Sequence, residues 1–432
     1  MFVSDCLSVN KEGHLTIGGC DAAELAREYG TPLYVYDEEQ IRKNCRAYVK
    51  SIEDNYGGNG LAIFASKAFM CMEMCRICKE EKMGIDVASG GELYTAVKAD
   101  FPMDRVVFHG NNKTKDELVL ALESNVGRIV VDNIEELNML NSLACEYKKT
   151  TKIMLRIKPG IDAHTHSFIR TGQIDSKFGF AIETGEAMAA VKLANNMTGV
   201  ELCGVHCHIG SNIFDIDPFE LAAKVMLGFI NDAKKETGVQ ITELNLGGGF
   251  GIKYLSDDEP EEYGAYMNRV AKTVKDTCKG FGIPIPKIMI EPGRSVVGAE
   301  GITLYTVGSV KDIPGVRTYV SVDGGMVDNP RYALYGAAYE AMCANKADQP
   351  KSKTVTIAGK CCESGDLIQE HTDIQESESG DILAVLSTGA YNYSMASNYN
   401  RIPRPAAVMV KDSVPRVIIK RESYDDLIKN DV

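Results

Sequence analysis

Three reactive side chains stand out by their settings. Lys67 ends the apolar stretch LAIFASK, Glu291 opens EPGR after KIMI, and Cys362 lies in CCESGD. A lysine at the tip of a buried strand is expected to lose hydration, which lowers its pKa and makes it a nucleophile. A carboxylate can keep a ring nitrogen protonated, and a thiol set in a polar turn can deliver a proton. In LNLGGGFG, the glycines Gly247, Gly248, Gly249 and Gly251 let backbone N–H groups approach an anion such as phosphate. His208, in GVHCHIGS, adds a flat imidazole, with Ser211 close behind it.

These residues need a scaffold that gathers them. Apolar strand candidates recur as LAIFAS, GIDVAS, RVVFHG, RIVVD, KIMLRIKP, VELCGVHCHIG, ITELNLGGG and KIMIEPG, with amphipathic helical stretches between most of them. Eight such alternations suggest an α/β fold, a parallel (β/α)8 barrel, over residues 33–298. Active sites of such barrels lie at the C-terminal strand ends. Lys67, His109, Arg156, His208, the glycine turn and Glu291 fall at the ends of strands one, three, five, six, seven and eight. A Schiff-base lysine, a phosphate cradle, an acid and an imidazole together fit pyridoxal 5′-phosphate. An insertion at 160–183, containing HTHSFIRTGQIDSKFGF, reads as a long functional loop. After residue 300 the strand-like runs are separated by turns, so residues 1–32 and 299–432 are expected to form a mostly β domain.

Bulk properties exclude several classes. The 432 residues carry a net charge of −13 and no basic stripe, which argues against nucleic acid. No apolar run approaches the ~20 residues of a membrane span, and the start lacks the pattern of a signal peptide. Thirteen cysteines, several inside apolar runs, suggest reduced thiols and a cytoplasmic protein. Cys71, Cys75 and Cys78 have a C-x3-C-x2-C spacing that iron–sulfur enzymes also use. The i, i+4, i+7 pattern equally makes one packed helix face, so no metal is expected. His14, His109, His164, His166, His206 and His371 read as structural, although His164 and His166 on the insertion could line an entrance.

The motifs FASKAF, SGGEL, HTHSFIRTG with DSKFGF, GVHCHIGS, LNLGGGFG, EPGRSVVG, MVDNPRYALYG, CCESGD and STGAYNYSMASNYN occur in this order over about Pro32–Val410. As a set they resemble the fold-type III pyridoxal phosphate decarboxylases, in particular the branch acting on diaminopimelate. The resemblance implies an alanine racemase-like barrel with a C-terminal β-sandwich that takes in the N-terminal segment. It implies that Lys67 carries the cofactor and that His208 stacks on it. Ser211, Gly248, Gly249, Gly293 and Arg294 would hold the phosphate, and Glu291 the pyridine nitrogen. Arg294, Arg331 and Tyr335 would bind substrate carboxylate, and Glu363 the distal ammonium. Cys362 would be the proton donor, and Tyr391 would touch cofactor and substrate. Cys362, Glu363 and Tyr391 would come from the neighbouring subunit of a homodimer with shared sites. The implied reaction converts meso-2,6-diaminopimelate, a small amino acid, to L-lysine and carbon dioxide, the last step of lysine biosynthesis. Decarboxylation of ornithine, lysine, arginine or carboxynorspermidine is the nearest alternative, and amino acid racemisation a further one. Two departures, Phe69 after Lys67-Ala68 and Tyr332 after Arg331, touch the cofactor pocket and the substrate loop.

Overall fold

The computed structural model describes residues 2–161 and 176–432. His164 and His166 lie outside the described residues. The chain forms two compact units, one of Asn44–Gly251 with Pro260–Gly293, the other of Met1–Lys43, Ile252–Glu259 and Arg294–Val432.

The first unit is a closed barrel. Its strands are β1 Gly60–Ala65, β2 Gly84–Val87, β3 Val106–Phe108, β4 Arg128–Val131, β5 Thr151–Lys158, β6 Val200–His206, β7 Glu243–Asn245 and β8 Lys287–Ile290. Each pairs in parallel with the next. β8 returns to β1 through Ile288↔Gly60 and Ile290↔Ala62, which closes the ring. All eight strand candidates are therefore strands of one barrel. Side chains at the turns start the helices. Ser89 accepts from the Glu92 N–H to cap Gly90–Lys98. Thr114 and Glu117 form a capping box on Lys115–Glu123, and Asn133 caps Ile134–Glu146. Each such cap satisfies donors the first turn would leave orphaned, worth about 1 kcal/mol.

Ile63, Val107, Val130, Met154, Cys203 and Met289 form a cluster drawn from six of the eight strands. Arg128 on β4 reaches Glu243 on β7 through two hydrogen bonds of 2.6 Å, both side chains being buried. Such a fork-on-fork pair offsets the desolvation of both charges only while both partners are present.

In the second unit the strand Gly301–Ile313 is the spine. Its first half lies between Leu33–Asp37 and Ile382–Val385, and its second half pairs with Arg317–Val322. Lys353–Ala358, Leu367–Ile374, Ala406–Lys411 and Val414–Ile419 extend the sheet. An antiparallel meander of Leu7–Val9, Leu15–Ile17 and Cys20–Asp21 shares its core with Leu33, Ile302, Leu386 and Val408. Leu33–Asp37 falls inside the range expected for the barrel, yet it pairs in this sheet. All five of its residues are buried. A strand covered on both faces loses the alternation that would distinguish one sheet from another.

Replacing Glu243 with Leu should leave the Arg128 guanidinium buried and unpaired. The expected loss is about 3–5 kcal/mol of unfolding free energy, measured by urea denaturation.

Candidate active site

Lys67 lies just past the end of β1, in a single 3-10 turn, Ser66–Ala68. The Ser66 N–H donates to Asp86 Oδ1 of β2 at 3.1 Å, fixing the turn. Ser66, Ala68 and Phe69 are buried, but Lys67 itself is exposed in the chain. The expectation of a buried ammonium is corrected on this point: the turn buries the backbone around the lysine and lifts its side chain clear. Phe69, the departure from the family pattern, is wholly buried.

Glu291 follows β8 and is almost wholly buried. Its Oε1 lies 2.7 Å from His109 Nε2 and accepts from Asn245 Nδ2 at 2.7 Å, while Oε2 lies 3.2 Å from His206 Nε2. Burial opposes its ionisation, but the two imidazoles outweigh burial and hold the carboxyl well below its ordinary range. Burial in turn pushes His206 down to about 4, despite Glu291. His206 is therefore neutral near pH 7, and with Nε2 as its donor it is positioned toward a fixed anion. The reactive nitrogens and the carboxylate of His109, His206 and Glu291 lie within 4.8 Å of one another, a spacing that would also suit a cation. The amide Nδ2 of Asn245, a donor set on the same oxygen as His109, opposes that use.

Asp86 adds a second acid to this unit. Burial and Glu291 push it up to about 7, with His109 and Lys67 acting the other way. At β5, Arg156 lies 3.9 Å from Asp132 and 4.2 Å from the Phe178 ring centroid. His208, after β6, is pushed well below its ordinary pKa, first by burial and then by Lys67 and Arg156. Its Nδ1 accepts from the Gly248 N–H at 3.3 Å, which leaves Nε2 to carry the ring proton.

The glycine turns are packed backbone to backbone. A Cβ on Gly248 would lie 2.0 Å from the Glu291 carbonyl oxygen, and one on Gly249 2.4 Å from the Gly210 carbonyl oxygen. Gly247 and Gly249 also have φ of +69° and +115°. Among the described residues, no acceptor takes the N–H of Gly249 or of Gly293. Two backbone donors in closely packed turns suit an anion with several oxygens. Ser211 lies beside this turn, half-buried.

The second unit holds the remaining expected residues. Arg294 and Arg331 are buried and both donate to Tyr254 Oη, the latter at 2.9 Å. Arg331 also donates to Tyr339 Oη at 2.8 Å. Tyr335 shares the short helix Arg331–Tyr335 but is not drawn into this cluster. Tyr332 points elsewhere, donating to Glu370 at 2.5 Å. Tyr391, in the left-handed region at φ +61°, lies with its ring centroid 4.7 Å from Arg294 Cζ of its own chain. Tyr391 thus packs on Arg294 of its own chain, whereas the resemblance implies that it reaches a neighbouring subunit. Cys362 and Glu363 are exposed. Their loop hangs from the buried Asp366, which accepts from the N–H groups of Met326 at 2.6 Å and Cys361 at 2.7 Å. Cys361 is buried, in keeping with a small packing side chain.

Asp86, Asn245, Tyr254 and Tyr339 escaped the sequence reading, and His109 and His206 were read as structural. GIDVAS carried a signal for Asp86, because an acid within an apolar strand calls for a buried partner. Cys71, Cys75 and Cys78 are buried at the helix Met72–Glu80, with burial pushing Cys71 up to about 11 and Cys75 to about 12. Burial of all three fits their reading as a packed helix face.

Residues 38–298 match the family described as "Pyridoxal-dependent decarboxylase, pyridoxal binding domain". The chain is 50% identical to the diaminopimelate decarboxylase of Bacillus subtilis, over 100% of this chain and 98% of that one. The chain belongs to the diaminopimelate decarboxylase family. It is 42% identical to the Mycobacterium tuberculosis member, over 97% of this chain and 95% of that one. The solved structure of the M. jannaschii diaminopimelate decarboxylase in complex with L-lysine aligns with a TM-score of 0.93 at 37% identity, covering 100% of this chain and 99% of that one. The family's cofactor is pyridoxal 5′-phosphate. The barrel's own residues fit it, with unclaimed N–H groups in the glycine turns and an acid kept ionised at the strand ends.

Because His206 titrates at about 4 when folded and near 6.5 when unfolded, the unfolded chain alone binds its proton between those values. Its contribution to stability is therefore lost as pH falls from 6.5 to 4. The stability of the wild type minus that of H206Q should decline by on the order of 3 kcal/mol over this window, as read by denaturant unfolding at each pH.

Proposed function

We propose that this protein decarboxylates meso-2,6-diaminopimelate to L-lysine, as the final step of lysine biosynthesis. The observation that carries the reading is Glu291, held ionised by His109, His206 and Asn245 in a barrel whose first strand ends in Lys67. When bound, the cofactor's ring accepts the electron pair left as carbon dioxide departs. Glu291 pairs with the ring nitrogen and keeps it protonated. Lys67 Nζ would hold the cofactor aldehyde. His208 would stack on the ring, its imidazole oriented by the Gly248 N–H that donates to Nδ1. Ser211, Gly248, Gly249, Gly293 and Arg294 take the phosphate.

Substrate discrimination is assigned to the second unit's residues. Arg294, Arg331 and Tyr335 bind carboxylate, Tyr391 packs on the bound ligands, and Glu363 pairs with the distal ammonium. Cys362 supplies the proton that replaces carbon dioxide on the α-carbon. Both Cys362 and Glu363 are exposed in the single chain, which supports a homodimer in which each subunit completes its partner's site. All thirteen cysteines are free thiols, as a cytoplasmic protein would keep them. No described helix is long and apolar enough to cross a membrane.

Carbon dioxide release should be fastest with meso-diaminopimelate and at least a hundredfold slower with lysine, ornithine or arginine, since a site built for polar groups rejects ligands that lack them. Lys67→Ala should abolish turnover and the borohydride-reducible absorbance of the holoenzyme. Retention of that absorbance in the variant would remove Lys67 from its role.

A further inference from the structure

The two arginines of the second unit converge on one oxygen. Arg294 and Arg331 each donate through Nη1 to Tyr254 Oη. Their Cζ atoms lie 5.6 and 5.2 Å from the Tyr254 ring centroid. All three residues are buried. Arg331 forms no ion pair with a carboxylate among the described residues; its other partner is Tyr339 Oη. A guanidinium that remains charged in such a place needs a negative group nearby.

Tyr254 is the group in position to supply it. A phenol oxygen has two lone pairs and one proton. Here both lone pairs are taken by guanidinium N–H groups, and among the described residues the Tyr254 hydroxyl has no acceptor for its own proton. Two donors and no acceptor suit a phenolate better than a phenol. The charged and titratable groups around the ring are Arg294, Arg331 and Tyr339, whose ring meets it edge-on at 5.4 Å. Asp258 accepts from the Tyr254 backbone N–H at 2.9 Å. Burial resists ionisation, yet the two arginines outweigh it and lower the Tyr254 pKa. Tyr339 moves the other way, chiefly through burial, so the two phenols are not equivalent.

We propose that Tyr254 is a positioning residue: its phenolate holds Arg294 and Arg331 together before substrate arrives, and takes up one proton when a substrate carboxylate replaces it as their anion. The idea rests on the reading that Arg331 binds a substrate carboxylate. No bond other than O–H changes, and the proton comes from solvent. Carboxylate binding is then linked to proton uptake, so affinity falls as pH rises above the pKa of Tyr254 in the free protein.

The chain has 19 tyrosines and no tryptophan, so tyrosine ionisation is visible in the near-ultraviolet without indole absorbance. Holoenzyme should show one tyrosine titrating below the ordinary value of about 10, and Y254F should lack that step. In R331Q, which removes one of the two donors, the step should move up by a unit or more. Saturating glutarate, a simple dicarboxylate, should also raise it. The KM for diaminopimelate should rise with pH across the step in the wild type, approaching tenfold per unit, and stay flat in Y254F. Identical tyrosine titrations of wild type and Y254F, or of wild type and R331Q, would overturn the proposal. A low step that glutarate leaves unmoved would overturn the exchange with carboxylate. The tyrosine titration is read without turnover, so failure of the decarboxylation assay alone would count against the proposed reaction and leave this step standing.

Discussion

The fixed charge on Glu291 is the constraint around which the barrel's strand ends are arranged. Taking a carboxylate out of water is costly, and a buried acid tends to recover its proton. Here β3, β6 and β7 each deliver one partner: His109, just past β3, His206 and Asn245. The ring of parallel strands is what makes this possible. Groups distant in sequence are presented side by side, at a height set by pairing register rather than by flexible loops. The acid's neighbours therefore decide its protonation, and the acid decides what its own ligand must be.

The second unit solves the converse problem. Two buried cations, Arg294 and Arg331, meet on one tyrosine oxygen, and Arg331 reaches a second tyrosine. A permanent acid there would compete with any anionic ligand. A phenol can neutralise the pair weakly and give way.

The barrel was legible because its signal is repetitive: eight apolar runs with helices between, and polar residues at the strand ends. Lys67, His208, the glycine turn and Glu291 were legible for the same reason. The sequence could not show that Lys67 is exposed, because the strand runs straight into the single turn Ser66–Ala68 with no glycine or proline to mark it. It could not place Leu33–Asp37, whose burial on both faces erases periodicity. His109 and His206 looked structural because each has a plausible packing role alone; their function lies in meeting one carboxylate across 182 and 85 residues. Tyr254 carried no local signal at all. Its significance comes from two arginines 40 and 77 residues away. Positions along the chain could be read, and contacts between residues distant in sequence could not.

The seam between β8 and β1 has a bearing on how the enzyme comes into being. Ile290 pairs with Ala62, and the Ala65 N–H donates to the Pro292 carbonyl at 3.0 Å. The ring thus shuts only when segments more than 220 residues apart find each other, a contact whose chain-entropy cost falls late in assembly. Until then the turn bearing Lys67 and the strand ending at Glu291 are unconnected edges, and a nascent chain that lacks its last barrel strand has neither a complete cradle nor a fixed acid. The closing of the ring thus brings the turn that bears Lys67 beside the strand that ends at Glu291.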